Sequence, residues 1–276
     1  MNLERAKICT AVVFSWSFIL PLAPCNASEV AIVAIDGSAP PYIAENATGW
    51  TLDIIQSALA TQDVTAKFVR IIHARVLNAF NSGEVEMVTA AKPNGKWKGF
   101  LSSWPVVRFY NVAISLKHKV PKISSIADLA EYRIVAFNDA SKYLGPEFEK
   151  MAAGNARYKE FSSYLPSRML FADRTDVIIS EANIFRYWLV RQSKDAAKEE
   201  PLVAYHDILG PGNFYWFAFK SDALRIKFER GIEEIYRNGT FEKIYQKYHQ
   251  LYRLDRSMYQ PIDCKFLKKS RPKDCL

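Results

Sequence analysis

The chain has 276 residues, 49% of them hydrophobic and 24% charged, which is enough for one large or two small domains and too apolar for intrinsic disorder. Its formal charge of +8 is spread over many segments and clusters only at residues 265–273, so nucleic acid is not an expected partner.

At the N-terminus, Arg5 and Lys7 precede an apolar run over residues 8–22, and Cys25, Asn26 and Ala27 follow as small residues. This is the arrangement of a secretory signal, with cleavage expected after Ala27, and it is too short for a membrane span. A lipoprotein signal ending at Cys25 is the alternative reading, weakened by Pro24. Cleavage would remove Cys9 and Cys25 and leave Cys264 and Cys275, an even pair for an oxidising compartment, so a disulfide closing the C-terminal loop is expected. The mature protein is expected to be a soluble, periplasmic monomer.

Beyond the signal, residues 30–35 read as a buried parallel strand that breaks at Asp36-Gly37 and Pro40-Pro41. Leu52, Ile55 and Leu59 mark a helix over 51–62, and a strand over 66–71 and a helix over 73–80 follow, the helix stopping at Asn81-Ser82-Gly83. Val85, Met87, Val88, Ala90 and Ala91 then form a short apolar strand ending in the turn Pro93-Asn94-Gly95. Lys92, Lys96 and Lys98 surround that strand's carboxyl end, the usual ligand position of an open α/β sheet, so a cationic collar facing an anionic group is expected there.

Residues 106–116 are extended, and a second α/β series begins after Pro121. It comprises helices at 126–131, 143–153 and 166–173, strands at 133–137, 157–161 and 176–180, and a helix from Glu181 carrying Ile184, Phe185, Trp188 and Leu189 on one face. A strand at 214–219 precedes two helices, one marked by Leu224, Phe228, Ile232 and Tyr236, the other by Phe241, Ile244, Tyr245, Tyr248 and Leu251. The predicted fold is α/β and two-lobed, each lobe a sheet flanked by helices, with two extended crossings as the hinge. The expected boundaries are 28–112 with 214–254 for the first lobe, 113–213 for the second, and 255–276 for a C-terminal extension.

The segment GIEEIYRNGTFEKIYQKYH, from Gly231 to His249, resembles the C-terminal signature of the extracytoplasmic solute-binding proteins of family 3, the amino-acid-binding type. Ala39-Pro40-Pro41-Tyr42, Gly49-Trp50-Thr51-Leu52-Asp53-Ile54, LNAFNSGEVEM from Leu77 to Met87, Ser103-Trp104-Pro105, and Asp176-Val177-Ile178-Ile179-Ser180-Glu181 extend the resemblance in order over about residues 32–249. It implies a type II periplasmic clamp that closes on a small polar, amino-acid-like or carboxylate-bearing solute for an ABC-type permease or a membrane sensor. By the same resemblance Tyr42 and Trp50 would line the first-lobe pocket, Thr89 would sit beside the ligand, and Glu181 would accept a ligand ammonium.

Two departures stand out. The family's carboxylate-gripping arginine falls at Lys98 counting forward from Glu86, or at Lys96 counting back from Pro105, so the loop is shorter and a point charge replaces a bidentate fork. In the second lobe, Asn138-Asp139-Ala140-Ser141 stands where a glycine and a small hydroxyl residue present backbone N–H groups, with Asn138 and Ser141 as the candidate contacts. Something other than an ordinary α-amino acid, or an ordinary one held differently, is therefore expected.

His73, His118, His206 and His249 form no metal-binding spacing, and no nucleophile elbow, phosphate loop or dinucleotide fingerprint is present, so neither cofactor nor metal is expected. The alternative is a periplasmic lyase on the same scaffold, resembling cyclohexadienyl dehydratase, with Glu181 or a cleft lysine as acid or base.

Overall fold

Alternating strands and amphipathic helices assemble into two sheets in a computed structural model that describes residues 29–161, 166–256 and 260–266. The expected signal over residues 1–27 and Cys275 lie outside the described residues. In chain order come β1 (Glu29–Ile35), α1 (Trp50–Ala60), β2 (Val64–Arg70), α2 (His73–Ser82), β3 (Met87–Ala91), β4 (Phe100–Leu101), β5 (Val107–Phe109) and β6 (Asn111–Leu116). A 3-10 turn at Ala127–Glu131 leads to β7 (Ile134–Phe137), α3 (Ala140–Tyr143), α4 (Pro146–Gly154), β8 (Tyr158–Phe161), α5 (Pro166–Phe171), β9 (Val177–Glu181) and α6 (Ala182–Gln192). The chain continues through α7 (Ala196–Glu199), β10 (Val203–His206), β11 (Asn213–Phe219), α8 (Asp222–Arg237), α9 (Thr240–Tyr252) and α10 (Gln260–Phe266).

The first sheet runs β2-β1-β3-β11-β4, with β5 also pairing to β11. β1 is parallel to β2 and β3, so its apolar run is covered on both faces, whereas β11 returns antiparallel from the second lobe. The second sheet runs β10-β6-β9-β7-β8, with β7 parallel to β8 and β9, and β6 and β10 antiparallel. The extended stretch read as one crossing divides at Tyr110: β5 belongs to the first sheet and β6 to the second. Short edge strands β4 and β10 and the final helix α10 are additions that no periodic pattern announced.

The first core gathers Trp50, Ile54 and Ile55 of α1, Phe217 and Phe219 of β11, and Phe228 and Ile232 of α8. Gly231 sets how closely α8 approaches α1, because a Cβ there would stand 2.1 Å from the Ala58 carbonyl oxygen. Gly231→Ala is therefore expected to lower stability by about 2 kcal/mol, overpacking outweighing the better helix propensity of alanine. The midpoint of urea unfolding measures it, and an unchanged or higher midpoint would show that the two helices separate freely.

Two strands cross between the lobes and are locked to each other: Asn213 of β11 pairs with Phe109 of β5. Gly212, at φ 85°, allows this approach, since a Cβ would meet the Phe109 carbonyl oxygen at 2.5 Å. Arg108, 4% exposed, donates from Nε to the Pro211 carbonyl at 2.7 Å and stacks 4.3 Å from the Tyr110 ring. Behind the crossing, Asn183 of α6 accepts from the Asp255 backbone N–H at 2.7 Å, and the rings of Tyr187 and Tyr252 lie 4.6 Å apart.

Candidate functional site

The carboxyl ends of the parallel strands β7, β8 and β9 converge on one place, as expected where an open α/β sheet leaves a crevice. There, Phe137 and Asn138 after β7, Phe161 at the end of β8, and Ser180 and Glu181 at the end of β9 meet Phe109 of β5 and Asn213 and Tyr215 of β11. They enclose a cavity of about 400 Å³ between the two lobes. Asn111, Tyr143, Ile184 and Trp188 complete much of its wall. The helix face predicted as one apolar stripe is thus divided in use: Phe185 and Leu189 are buried, while Ile184 and Trp188 are half-buried beside the cavity.

Glu181 is the one carboxylate in this wall among the described residues. It is 4% exposed and caps α6, its Oε2 accepting from the Ile184 N–H at 2.7 Å. Its Oε1 has no hydrogen-bond partner. Burial pushes its carboxyl up to about 7, against the pull of the Ile184 N–H, the Tyr42 phenol and the Arg186 guanidinium. The Tyr42 hydroxyl donates to the Arg108 carbonyl at 3.1 Å. Asn111 stands across the sheet from Glu181 in register.

The other expected contacts fall in several places. Tyr42 is 1% exposed and lies beneath the cavity, its ring 4.6 Å from Phe109, which in turn lies 5.4 Å from Tyr215. Trp50, at 0% exposure, belongs to the first core and does not reach the cavity wall; Thr89 is likewise buried within β3. These positions differ from the pocket-lining roles that the resemblance implied for them. The reason is that the turn before α1 folds Tyr42 and Trp50 inward against each other, ring centroids 5.6 Å apart.

The lysine collar also opens out. Lys92 stays near the cavity rim, its Nζ 3.4 Å from Asn213 Oδ1 and 4.8 Å from the Tyr215 ring centre. Lys96 and Lys98 are exposed, and the loop that carries them is held over α2: the Asn81 side chain bonds the Lys96 carbonyl at 3.0 Å and the Lys98 N–H at 2.8 Å. Trp97 fixes the same loop, donating to the Lys92 carbonyl at 3.1 Å and packing 5.6 Å from Phe80. Neither Lys96 nor Lys98 lines the cavity.

In the second lobe the N–H groups expected to face a ligand anion already hold one. Glu160 of β8 accepts from the Asp139 N–H at 2.7 Å and the Ser141 N–H at 2.9 Å, and from the Tyr158 hydroxyl at 2.7 Å. Burial alone would raise its carboxyl, but these donors outweigh burial and hold it below the usual glutamate range. Asn138 lines the cavity while its Nδ2 donates to Asp139 at 2.6 Å; Ser141 does not line it. Nothing in the local pattern YKEF marks Glu160 for this role; the pairing of Ala136 with Glu160 across β7 and β8 brings it beside the turn.

At the far end, Cys264 stands on α10, which packs against the first lobe through Phe266 and through Asp263, held by Arg256 at 2.8 Å. Its expected partner Cys275 lies outside the described residues. Among the described residues no group of three histidines, cysteines or carboxylates could hold a metal ion. No described helix is long and apolar enough to cross a membrane.

Comparison with known proteins agrees with this architecture. The family model described as bacterial extracellular solute-binding proteins, family 3, matches residues 31–251. No curated protein is matched by sequence. Among solved structures, the chain is similar to a polar amino acid ABC uptake transporter substrate-binding protein from Streptococcus thermophilus, at TM-score 0.60 and 15% identity over 83% of this chain and 89% of that one. An ancestral cationic amino acid solute-binding protein gives TM-score 0.60 and 20% identity, covering 79% of this chain and 95% of the other. An ancestral amino-acid-binding protein described as a precursor of cyclohexadienyl dehydratase gives TM-score 0.54 and 17% identity over the same shares, 79% and 95%. At these identities the likeness is one of fold.

Proposed function

The chain belongs to the bacterial extracellular solute-binding proteins of family 3, and from that premise we propose that it captures a small solute in the interlobe cavity by hinge closure. The observation that carries this reading is the cavity itself: a crevice at the carboxyl ends of three parallel strands, holding a buried carboxylate with one oxygen free to accept a bond. In this reading Glu181 and Asn138 make the polar contacts, Phe109, Trp188 and Tyr215 pack on the solute, and Lys92 stands at the rim. Tyr42 acts from behind, supporting Phe109. Trp50, Thr89, Lys96, Lys98 and Ser141 have no direct contact with the solute.

The remaining parts of the reading follow from the sequence. The protein is exported by a signal over residues 1–27, works as a monomer in the periplasm, and carries a Cys264–Cys275 disulfide that clips the C-terminal extension. It passes its solute to an ABC-type permease or reports it to a membrane sensor. A lyase reading draws on the raised Glu181 carboxyl as its acid or base, and among the described residues the wall offers no second carboxylate to pair with it.

A thermal-shift screen over amino acids, organic acids, small amines and sugars tests the proposal. A solute present at a hundred times its Kd should add about 2.7 kcal/mol to the stability of the folded state. That shift should vanish in Trp188→Ala and persist unchanged in Lys96→Ala and Lys98→Ala. Absence of any shift in the parent protein would end the solute-binding reading, and recovery of a chemically altered solute would replace it with the lyase.

A further inference from the structure

Building on the solute-binding reading, we propose that the solute is a protonated organic amine with an apolar body and no carboxylate. Three independent features of the cavity lead to this class. The first is charge: among the described residues, Glu181 is the only ionised side chain the wall can present, and no lysine, arginine or histidine lines it. A carboxylate entering beside Glu181 would meet a like charge in a site of low dielectric, whereas an ammonium would find the unpartnered Oε1.

The second feature is the anion position. A zwitterionic amino acid needs donors for its carboxylate, and the second-lobe turn has already given its N–H groups to the Glu160 carboxylate, at 2.7 and 2.9 Å. That pairing is internal to the lobe and reinforced by Tyr158, so a ligand carboxylate would have to displace a side chain that is held at three points. On the first-lobe side, the backbone carrying Lys96 and Lys98 is tied over α2 by Asn81, and neither lysine lines the cavity. Lys92 alone touches the rim, and there it is already engaged with Asn213 and the Tyr215 ring.

The third feature is the wall. Phe109, Phe137, Tyr143, Phe161, Trp188 and Tyr215 present aromatic rings, a lining that favours an apolar body and stabilises a neighbouring cation through the ring faces. The volume of about 400 Å³ accommodates a small amine with a ring or branched chain.

Matched triads of probes, each sharing one apolar body, test the inference by calorimetric titration of the full protein at pH 8. One triad is phenethylamine, phenylalanine and 3-phenylpropionate; the other is isoamylamine, leucine and 4-methylpentanoate. The amine of at least one triad is expected to bind tenfold or more tightly than its amino acid, and the acid not to bind. Glu181→Gln should cost the amine at least tenfold in affinity, while Lys96→Ala, outside the cavity wall, should leave it within threefold of the parent. Tighter binding of the amino acid or the acid, or a loss of affinity in Lys96→Ala as large as in Glu181→Gln, would overturn the amine class while leaving the solute-binding reading in place. If no member of either triad binds but another solute of the wider screen does, the amine class falls alone; if nothing binds at all, both readings fall. The comparison within each triad is made on the parent chain, so it holds even if a variant fails to fold.

Discussion

Replacing Trp50 with alanine should cost about 3–5 kcal/mol of stability, the range for deleting a large buried ring. Trp50 is fully enclosed at the first position of α1, among Ile54, Phe217 and Phe228 of the first core and tilted against Tyr42. Little around it can collapse, because α8 already stands at close approach to α1 at Gly231. Trp188→Ala removes a ring of the same size from a half-buried position beside the cavity, where solvent or solute already fills the space. Its cost in stability should be about 1 kcal/mol or less, while the solute-induced thermal shift disappears. Urea unfolding of both variants, followed by titration with whichever solute shifts the parent, separates the two roles. A Trp50→Ala variant within 1 kcal/mol of the parent would show that this ring is a replaceable wall and not a support of the first lobe.

The contrast between these two tryptophans shows where sequence reasoning reaches its limit. The strand and helix rhythm was legible because it depends on local period: β1, β3 and β9 are short apolar runs, and α8 and α9 carry clear stripes. The division into two lobes followed from the alternation of strands and helices on either side of an extended crossing, and the family likeness pointed the same way. Short edge strands such as β10, four residues of mixed burial, have no period to read. Glu181 could be named as a candidate only through the family likeness, which matches it to an acidic position of the second lobe; the string of residues by itself shows no more than a glutamate opening a helix. The fate of Lys96 and Lys98 could not be read, because it is decided by the Asn81 amide and by the stacking of Trp97 on Phe80, contacts between residues 15 or more apart. Glu160 was hidden for the same reason, since only the register of β8 against β7 brings it under the turn at Asn138 to Ser141.

Glu181 also makes stability depend on pH. Its carboxyl is raised to about 7 from the ordinary glutamate value of 4.5, chiefly by burial. Below pH 4.5 it is protonated in folded and unfolded chains alike and contributes no pH dependence. Between 4.5 and 7 the folded state keeps a proton that the unfolded chain has released, so stability falls as pH rises through this window, by about 3 kcal/mol in all. Above pH 7 the loss is complete and constant. The groups around the carboxylate are Tyr42, Tyr205 and Arg186. Glutamine at this position keeps an acceptor for the Ile184 N–H and carries no charge. The difference in melting temperature between Glu181→Gln and the parent should therefore be small near pH 4.5, grow towards pH 7 and then level off. A difference that stays flat from pH 4.5 to 8 would mean that the carboxylate is solvated and its burial is without consequence. An amine that pairs with the ionised form would reverse the burden: below pH 7 its binding must expel the proton, so affinity should rise about tenfold per pH unit up to 7 and then plateau. The same carboxylate that weakens the empty clamp at neutral pH would then be the group that makes closure on a cation favourable, which ties the stability of the lobe interface to the presence of its solute.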